Sequence, residues 1–255
     1  MHFGIDHPVV VFVFTFAAMW IAGRVGMLLA RWHRPDQPDV REAFNVVQGA
    51  TLTLLGLIIG FTFSMAIGRY DQRKNYEEAE ANAIGTEYVR LDLLPPAVAS
   101  KVRPLLISYL DERIKSYETT DRSQISAVDA RVNDLQTGLW NAITPAAHER
   151  PDPITALAVA GMNDVLNSQG YTQAAWWNRI PTSAWVLLVA IALGCNLLVG
   201  VGASRLTSEP ALMLVLPLII AVAFALIADI DSPRGGMIRV APQNLHALRA
   251  SIPNT

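Results

Sequence analysis

The chain has 255 residues, of which 52% are hydrophobic and 16% charged, with a formal net charge of −2. That balance leaves no basic footprint for a nucleic-acid partner. A single cysteine and five histidines in no ligand spacing exclude an internal disulfide and a structural zinc site, so no cofactor or metal is expected.

Charges avoid four segments, Pro8 to Ala30, Val47 to Gly68, Thr182 to Ala203 and Pro210 to Ala228. Each is close to the ~20 residues needed to cross a hydrocarbon layer of ~30 Å. The expected class is therefore all-α: a four-span helical membrane protein with a helical extramembrane domain inserted between spans 2 and 3. The expected divisions are residues 1–68 for spans 1 and 2, 69–181 for a helical domain continuous with span 2, 182–229 for spans 3 and 4, and 230–255 for a C-terminal tail. Arg24 interrupts the first span, and its long side chain can reach back toward the headgroups. The leading residues MHFGIDHP carry no Lys or Arg and a second apolar stretch follows at once, which favours a true span over a signal peptide.

Span 2 runs without a proline into a strongly charged helical pattern, and the next proline is Pro95. Nothing in the covalent chemistry forces a break, so one helix is expected to leave the membrane and continue into the domain. Small residues recur within the span at Gly56, Gly60, Ser64 and Gly68. In lipid such a stripe lets backbones approach, the usual mark of a helix-packing surface. Thr51, Thr53 and Thr62 add hydroxyls that can border water or bond the carbonyl one turn back.

Beyond the span, Ala81, Ile84, Tyr88 and Leu91 form an apolar stripe that ends at Pro95-Pro96. A second helix is predicted over Ala97 to Glu118, with Val98, Val102, Leu106, Tyr109, Leu110, Ile114 and Tyr117 on one face and a kink at Pro104. A third covers Ser123 to Ile143 with Ile125, Val128, Val132, Leu135 and Leu139 in register, before HERPDP breaks the chain. The fourth covers Ile154 to Ile180 and returns to the membrane through Trp176, Trp177 and Trp185, whose rings suit the lipid interface.

At the domain-side ends of the spans, Arg69, Asp71, Arg73, Asp229 and Asp231 should share one depth. They read as an interfacial charge layer that fixes the vertical register of the helices, or as a ring of charge around an axis in a symmetric oligomer. Six cations near the span ends on the domain side (Arg69, Arg73, Lys74, Arg179, Arg234 and Arg239) face four on the other (Arg31, Arg34, Arg41 and Arg205). The count favours a cytosolic domain with both termini on the same side, although the four lie in shorter loops.

The string GLIIGFTFSMAIGRYDQRK, followed by EEAEANAIGTEYVRLDLLPP and later by IADIDSPRGGMIRV, resembles a bacterial family described as bestrophin-like. The Gly60-Phe61 pair followed by Arg69-Tyr70 is similar to a Gly-Phe and Arg-Trp pattern in the second span of bestrophin channels. The resemblance implies an inner-membrane homo-oligomer, a pentamer above all, whose second span lines a path for inorganic ions. It implies Leu57 and Phe61 at an apolar constriction and Thr53 where the family has another apolar residue, which would make one layer wetter. The acidic run of the animal calcium clasp has no counterpart, so no calcium activation by that route is expected. The alternative is a non-conducting membrane-anchored scaffold or sensor whose helical domain binds a cytosolic partner. No P-loop, HExxH or nucleophile elbow is present, and an enzyme is not expected.

Overall fold

The computed structural model describes residues 7–32, 38–203 and 212–253. Eight α-helices follow one another among these residues: α1 (Pro8–Trp32), α2 (Pro38–Arg90), α3 (Pro96–Glu118), α4 (Arg122–Glu149), α5 (Pro153–Trp177), α6 (Thr182–Gly202), α7 (Leu212–Asp231) and α8 (Gln243–Ser251). No strand occurs among them. Four helical stretches are long and apolar enough to cross a membrane, and they fall in α1, α2, α6 and α7. Pro210, Arg34 and Arg205, used above to place a span and an orientation, lie outside the described residues.

The chain divides into two compact units, one within Met1–Arg69 and Arg179–Ile238 and the other within Tyr70–Asn178 and Arg239–Thr255. Helix α2 contributes to both. Its 53 residues run unbroken, as the absence of proline between Pro38 and Pro95 allows.

In the first unit, α1 packs on α6 and α7. The helices approach closely because glycines meet glycines. A Cβ on Gly200 would lie 2.1 Å from the carbonyl oxygen of Gly23, and one on Gly26 would lie 2.1 Å from that of Leu197. Such an approach gains van der Waals contact where apolar burial supplies little drive between helices in lipid. Trp185 meets Phe224 edge to face at 6.1 Å and both are buried, so this tryptophan takes part in the helix packing. The Cys195 thiol donates to the Thr51 carbonyl of α2 at 3.3 Å. Arg24 lies over the Trp20 ring, 5.7 Å from its centroid, which supplies part of the charge with a local partner.

The second unit is built as the apolar stripes require. Ala81 and Ile84 of α2 and Leu91 of the 3-10 turn that follows it close onto Val102, Leu106, Tyr109 and Leu110 of α3, Val132 and Leu139 of α4, and Met162 and Val165 of α5. Each fully buried Leu, Ile, Val or Met contributes roughly 1.5–3 kcal/mol. Local signals set the boundaries. Pro96 occupies the first turn of α3, where its missing N–H costs nothing. Asp121 caps α4 by accepting the Ser123 N–H at 2.9 Å, and Asp152 caps α5 by accepting the Thr155 N–H at 2.8 Å.

Three details differ from the expected elements. Helix α4 continues past Ile143 to Glu149 and carries Pro145 inside it. Helix α5 stops at Trp177, short of Ile180, because the Ile180 N–H is turned toward Asp231 (3.1 and 3.2 Å to its two oxygens) and so leaves the helical ladder. Trp176 is buried under Tyr117, edge to face at 5.2 Å, while Trp177 is exposed. The last helix, α8, packs on α3. Its N-terminus is held by Glu77, whose Oε1 accepts the backbone N–H of Asn244 (2.9 Å) and Leu245 (3.0 Å) while Oε2 accepts from the Asn244 side chain (2.6 Å). A carboxylate there satisfies donors that a helix start leaves open and complements the positive end of the dipole.

Candidate functional site

The membrane half of α2 has one packed face. Leu55, Thr62 and Ala66 are buried against the rest of the unit. At about 100° per residue, Thr53, Leu57 and Phe61 fall within about 60° of the opposite direction. They are exposed, and the numbers matter: Leu57 is 53% and Phe61 65% accessible, large apolar surfaces with little cover from their own chain.

The small-residue stripe lies on this same open side. A Cβ built on Gly56, Gly60 or Gly68 meets nothing within 4 Å, and Ser64 is exposed. Among the described residues, then, the three glycines of this stripe have no neighbour within reach of a side chain. The close glycine contacts are the ones between α1 and α6.

The threonine hydroxyls resolve into local bonds. Thr51, Thr53 and Thr62 each donate to the carbonyl four residues back, Val47, Gly49 and Ile58, at 2.7, 2.9 and 2.8 Å. Thr53 therefore has its proton engaged, and only its oxygen lone pairs and methyl group remain on the open face.

Of the five charged residues read as one layer, the structure brings Arg69 and Asp231 together, with Nη1 3.7 Å from Oδ1, and adds Arg179, whose Nε is 3.6 Å from Oδ2. Asp231 is 2% accessible, so these pairs are far less screened than an exposed one. Asp229 turns to a different task. Its Oδ1 accepts the Met237 N–H at 2.6 Å and its Oδ2 the Ile238 N–H at 3.1 Å, which folds residues 232–238 back onto the end of α7. The Ser232 hydroxyl accepts the Gly235 N–H at 3.1 Å within the same turn. Asp71 is exposed, and Arg73 is buried in the second unit.

Gly236 is the residue that permits this turn, since a Cβ there would sit 2.5 Å from both the carbonyl oxygen and Oδ1 of Asp229. Gly236→Ala is expected to lower stability by about 2 kcal/mol, read as a fall in the thermal midpoint of the purified protein. The same substitution at Gly170, where a Cβ meets nothing within 4 Å, serves as control.

Sequence reasoning missed the part of Arg179 and the distinct roles of the two aspartates. The signal was present in the segment ADIDSPRGG, where two acids precede a Pro and a Gly pair, a turn in need of an acceptor.

A family model described as a Bestrophin-like domain matches residues 10–245. The chain belongs to the bestrophin-like family. Its fold is similar to crystal structures of a bacterial bestrophin homologue from Klebsiella pneumoniae. A Trp-to-Ala variant of that homologue superposes with a TM-score of 0.66 at 13% identity, covering 94% of this chain and 97% of the other. A structure of the homologue solved by zinc SAD phasing gives 0.63 at 14% identity, covering 94% and 99%. At that identity the likeness establishes a shared fold over nearly the whole length. Among curated proteins no match is found.

Proposed function

We propose that this bestrophin-like protein forms an oligomeric ion channel of the bacterial inner membrane, a pentamer as the family resemblance implies, with the open face of α2 lining the path. Leu57 and Phe61 form the apolar constriction, and Thr53 adds a layer whose lone pairs can hold water. The small-residue stripe at Gly56, Gly60, Ser64 and Gly68 seats the neighbouring subunit, so one open side of α2 serves both the axis and the interface. The helical unit and both termini face the cytosol in this reading.

One observation carries it: a membrane helix whose single packed face leaves Leu57, Phe61 and three uncovered glycines on the other side. A lone helix edge facing lipid needs no glycine stripe, whereas close packing of copies does. Apolar rings at a constriction can gate by dewetting, and removing one widens and wets it.

The test is ion flux from purified protein in liposomes. Phe61→Ala and Leu57→Ala are expected to raise flux severalfold over the unsubstituted protein, while Ile219→Ala, an exposed position of α7, leaves it unchanged. Liposomes silent under several ions and pH values, for the wild type and both variants, would refute conduction.

A further inference from the structure

The second unit holds three buried glutamates on α2, and two are fully supplied with donors. Glu80 accepts from Arg113, from the Tyr117 hydroxyl at 3.2 Å and from the Thr172 hydroxyl at 3.2 Å. Glu77 accepts two backbone N–H groups and a side-chain amide at the start of α8. Glu87 is 0% accessible, and neither of its carboxyl oxygens has a hydrogen-bond partner among the described residues.

Its surroundings explain the isolation. Helix α5 presents Gly161 to it, and a Cβ at that position would lie 2.1 Å from Glu87 Oε2 and 2.3 Å from Arg90 Nη1. Glycine is what makes room for the carboxyl and the guanidinium over the α5 backbone. That backbone offers no spare donor, since its N–H groups are spent within the helix. The charged groups in reach are Arg90 on α2 and Asp164 on α5. Asp92 on the following turn and Arg103 on α3 are committed to each other at 2.5 Å.

We propose that Glu87 is a proton switch of the helical unit: it is held as the neutral acid while packed on Gly161, and on losing its proton it must leave that seat for water, loosening α2 from α5. An ionised carboxylate in this seat would have Arg90 on one side, Asp164 opposing it, and no donor from α5. Burial without donors is what an acid tolerates only in its neutral form. Consistent with this, burial raises the Glu87 carboxyl from 4.5 to about 8, against the pull of Arg90 and with the help of Asp164. The inference stands on the packing of the helical unit and does not require that the protein conduct ions.

The sign follows from proton binding. Between 4.5 and about 8 the folded protein holds a proton that the unfolded chain has released. Stability present below the lower value is therefore lost as the pH rises to the upper one, and then levels off.

The experiment compares thermal unfolding of the full-length protein in detergent with that of Glu87→Gln from about pH 5 to about pH 9. The midpoint of the wild type is expected to fall by at least ~5 °C more than that of the variant over this interval. Infrared spectra of the wild type supply a readout that needs no variant. A protonated carboxylic acid band is expected at about pH 6 and should vanish by about pH 9. Parallel unfolding profiles, or no such band at the lower pH, overturn the proposal. Should Glu87→Gln fail to fold, the infrared titration decides alone.

Discussion

Gly200→Val is expected to abolish the folded membrane unit. Even the first atom of the new side chain would sit 2.1 Å from the carbonyl oxygen of Gly23, 2.9 Å from its carbonyl carbon and 3.1 Å from its Cα. These are backbone atoms of a helix, which cannot swing aside as the end of a flexible side chain can. The reciprocal contact is as tight, because a Cβ on Gly26 would meet the Leu197 carbonyl at 2.1 Å and the Gly200 Cα at 3.1 Å. Helices α1 and α6 must separate along the whole crossing, and in lipid no apolar burial refills the gap. The loss should exceed ~4 kcal/mol, at the extreme of single substitutions, and should appear as loss of monodisperse protein in detergent. Gly200→Ala is expected to show the same defect in milder form. Gly56→Ala and Gly60→Ala give the contrasting result, since a Cβ at either position meets nothing within 4 Å among the described residues. They should leave the protomer intact and act only on the assembly, read as a shift in oligomer mass.

That contrast marks where the sequence is legible. The regular spacing of Gly56, Gly60, Ser64 and Gly68 within one span draws attention to α2, yet the tight contacts inside the chain come from Gly23, Gly26 and Gly200. The latter sit on two spans more than a hundred residues apart, and no local pattern encodes which helices meet. Properties that depend on one segment alone were readable: the apolar spans, the unbroken passage of α2 toward Pro95, and the stripes of α3 and α4 that became the core. The charged end was readable only in part. Asp231 and Arg69 could be placed at a common depth from span ends, but the choice of Arg179 as second partner depends on the chain leaving α5 at Trp177 so that the Ile180 N–H reaches the same carboxylate. Glu87 gave no sign at all. Its neighbours in sequence, Thr86 and Tyr88, resemble those of any amphipathic helix, and its isolation is created by a glycine on α5.

Glu80→Ala is expected to cost about 3–5 kcal/mol, because it strands a buried cation. Arg113 is 2% and Glu80 0% accessible at the side chain, so neither can turn to water without opening the bundle. The guanidinium donates through Nε and Nη2 to the two carboxylate oxygens and through Nη1 to the Ser116 hydroxyl at 3.3 Å. Burial opposes the charge on Arg113, and Glu80 outweighs it, so the arginine stays protonated through this partner. Burial and the same carboxylate raise the Tyr109 and Tyr117 hydroxyls above their ordinary range, so both remain neutral, Tyr117 donating to Glu80 and Tyr109 accepting from Gln136. Removing the acid leaves one positive charge and the Tyr117 and Thr172 hydroxyls without their shared acceptor; removing the arginine leaves a carboxylate with hydroxyl donors only. Each single loss is therefore severe. Replacing both ions by apolar residues of similar volume, Glu80→Leu with Arg113→Met, removes the stranded charge together with its partner. Chemical denaturation in detergent of the unsubstituted protein, Glu80→Leu, Arg113→Met and the double variant closes the cycle. The double variant should be more stable than either single one, with a coupling energy above about 2 kcal/mol. Additive losses would mean that the two side chains act independently and that the core tolerates a bare charge, which their burial makes physically untenable unless water enters the bundle.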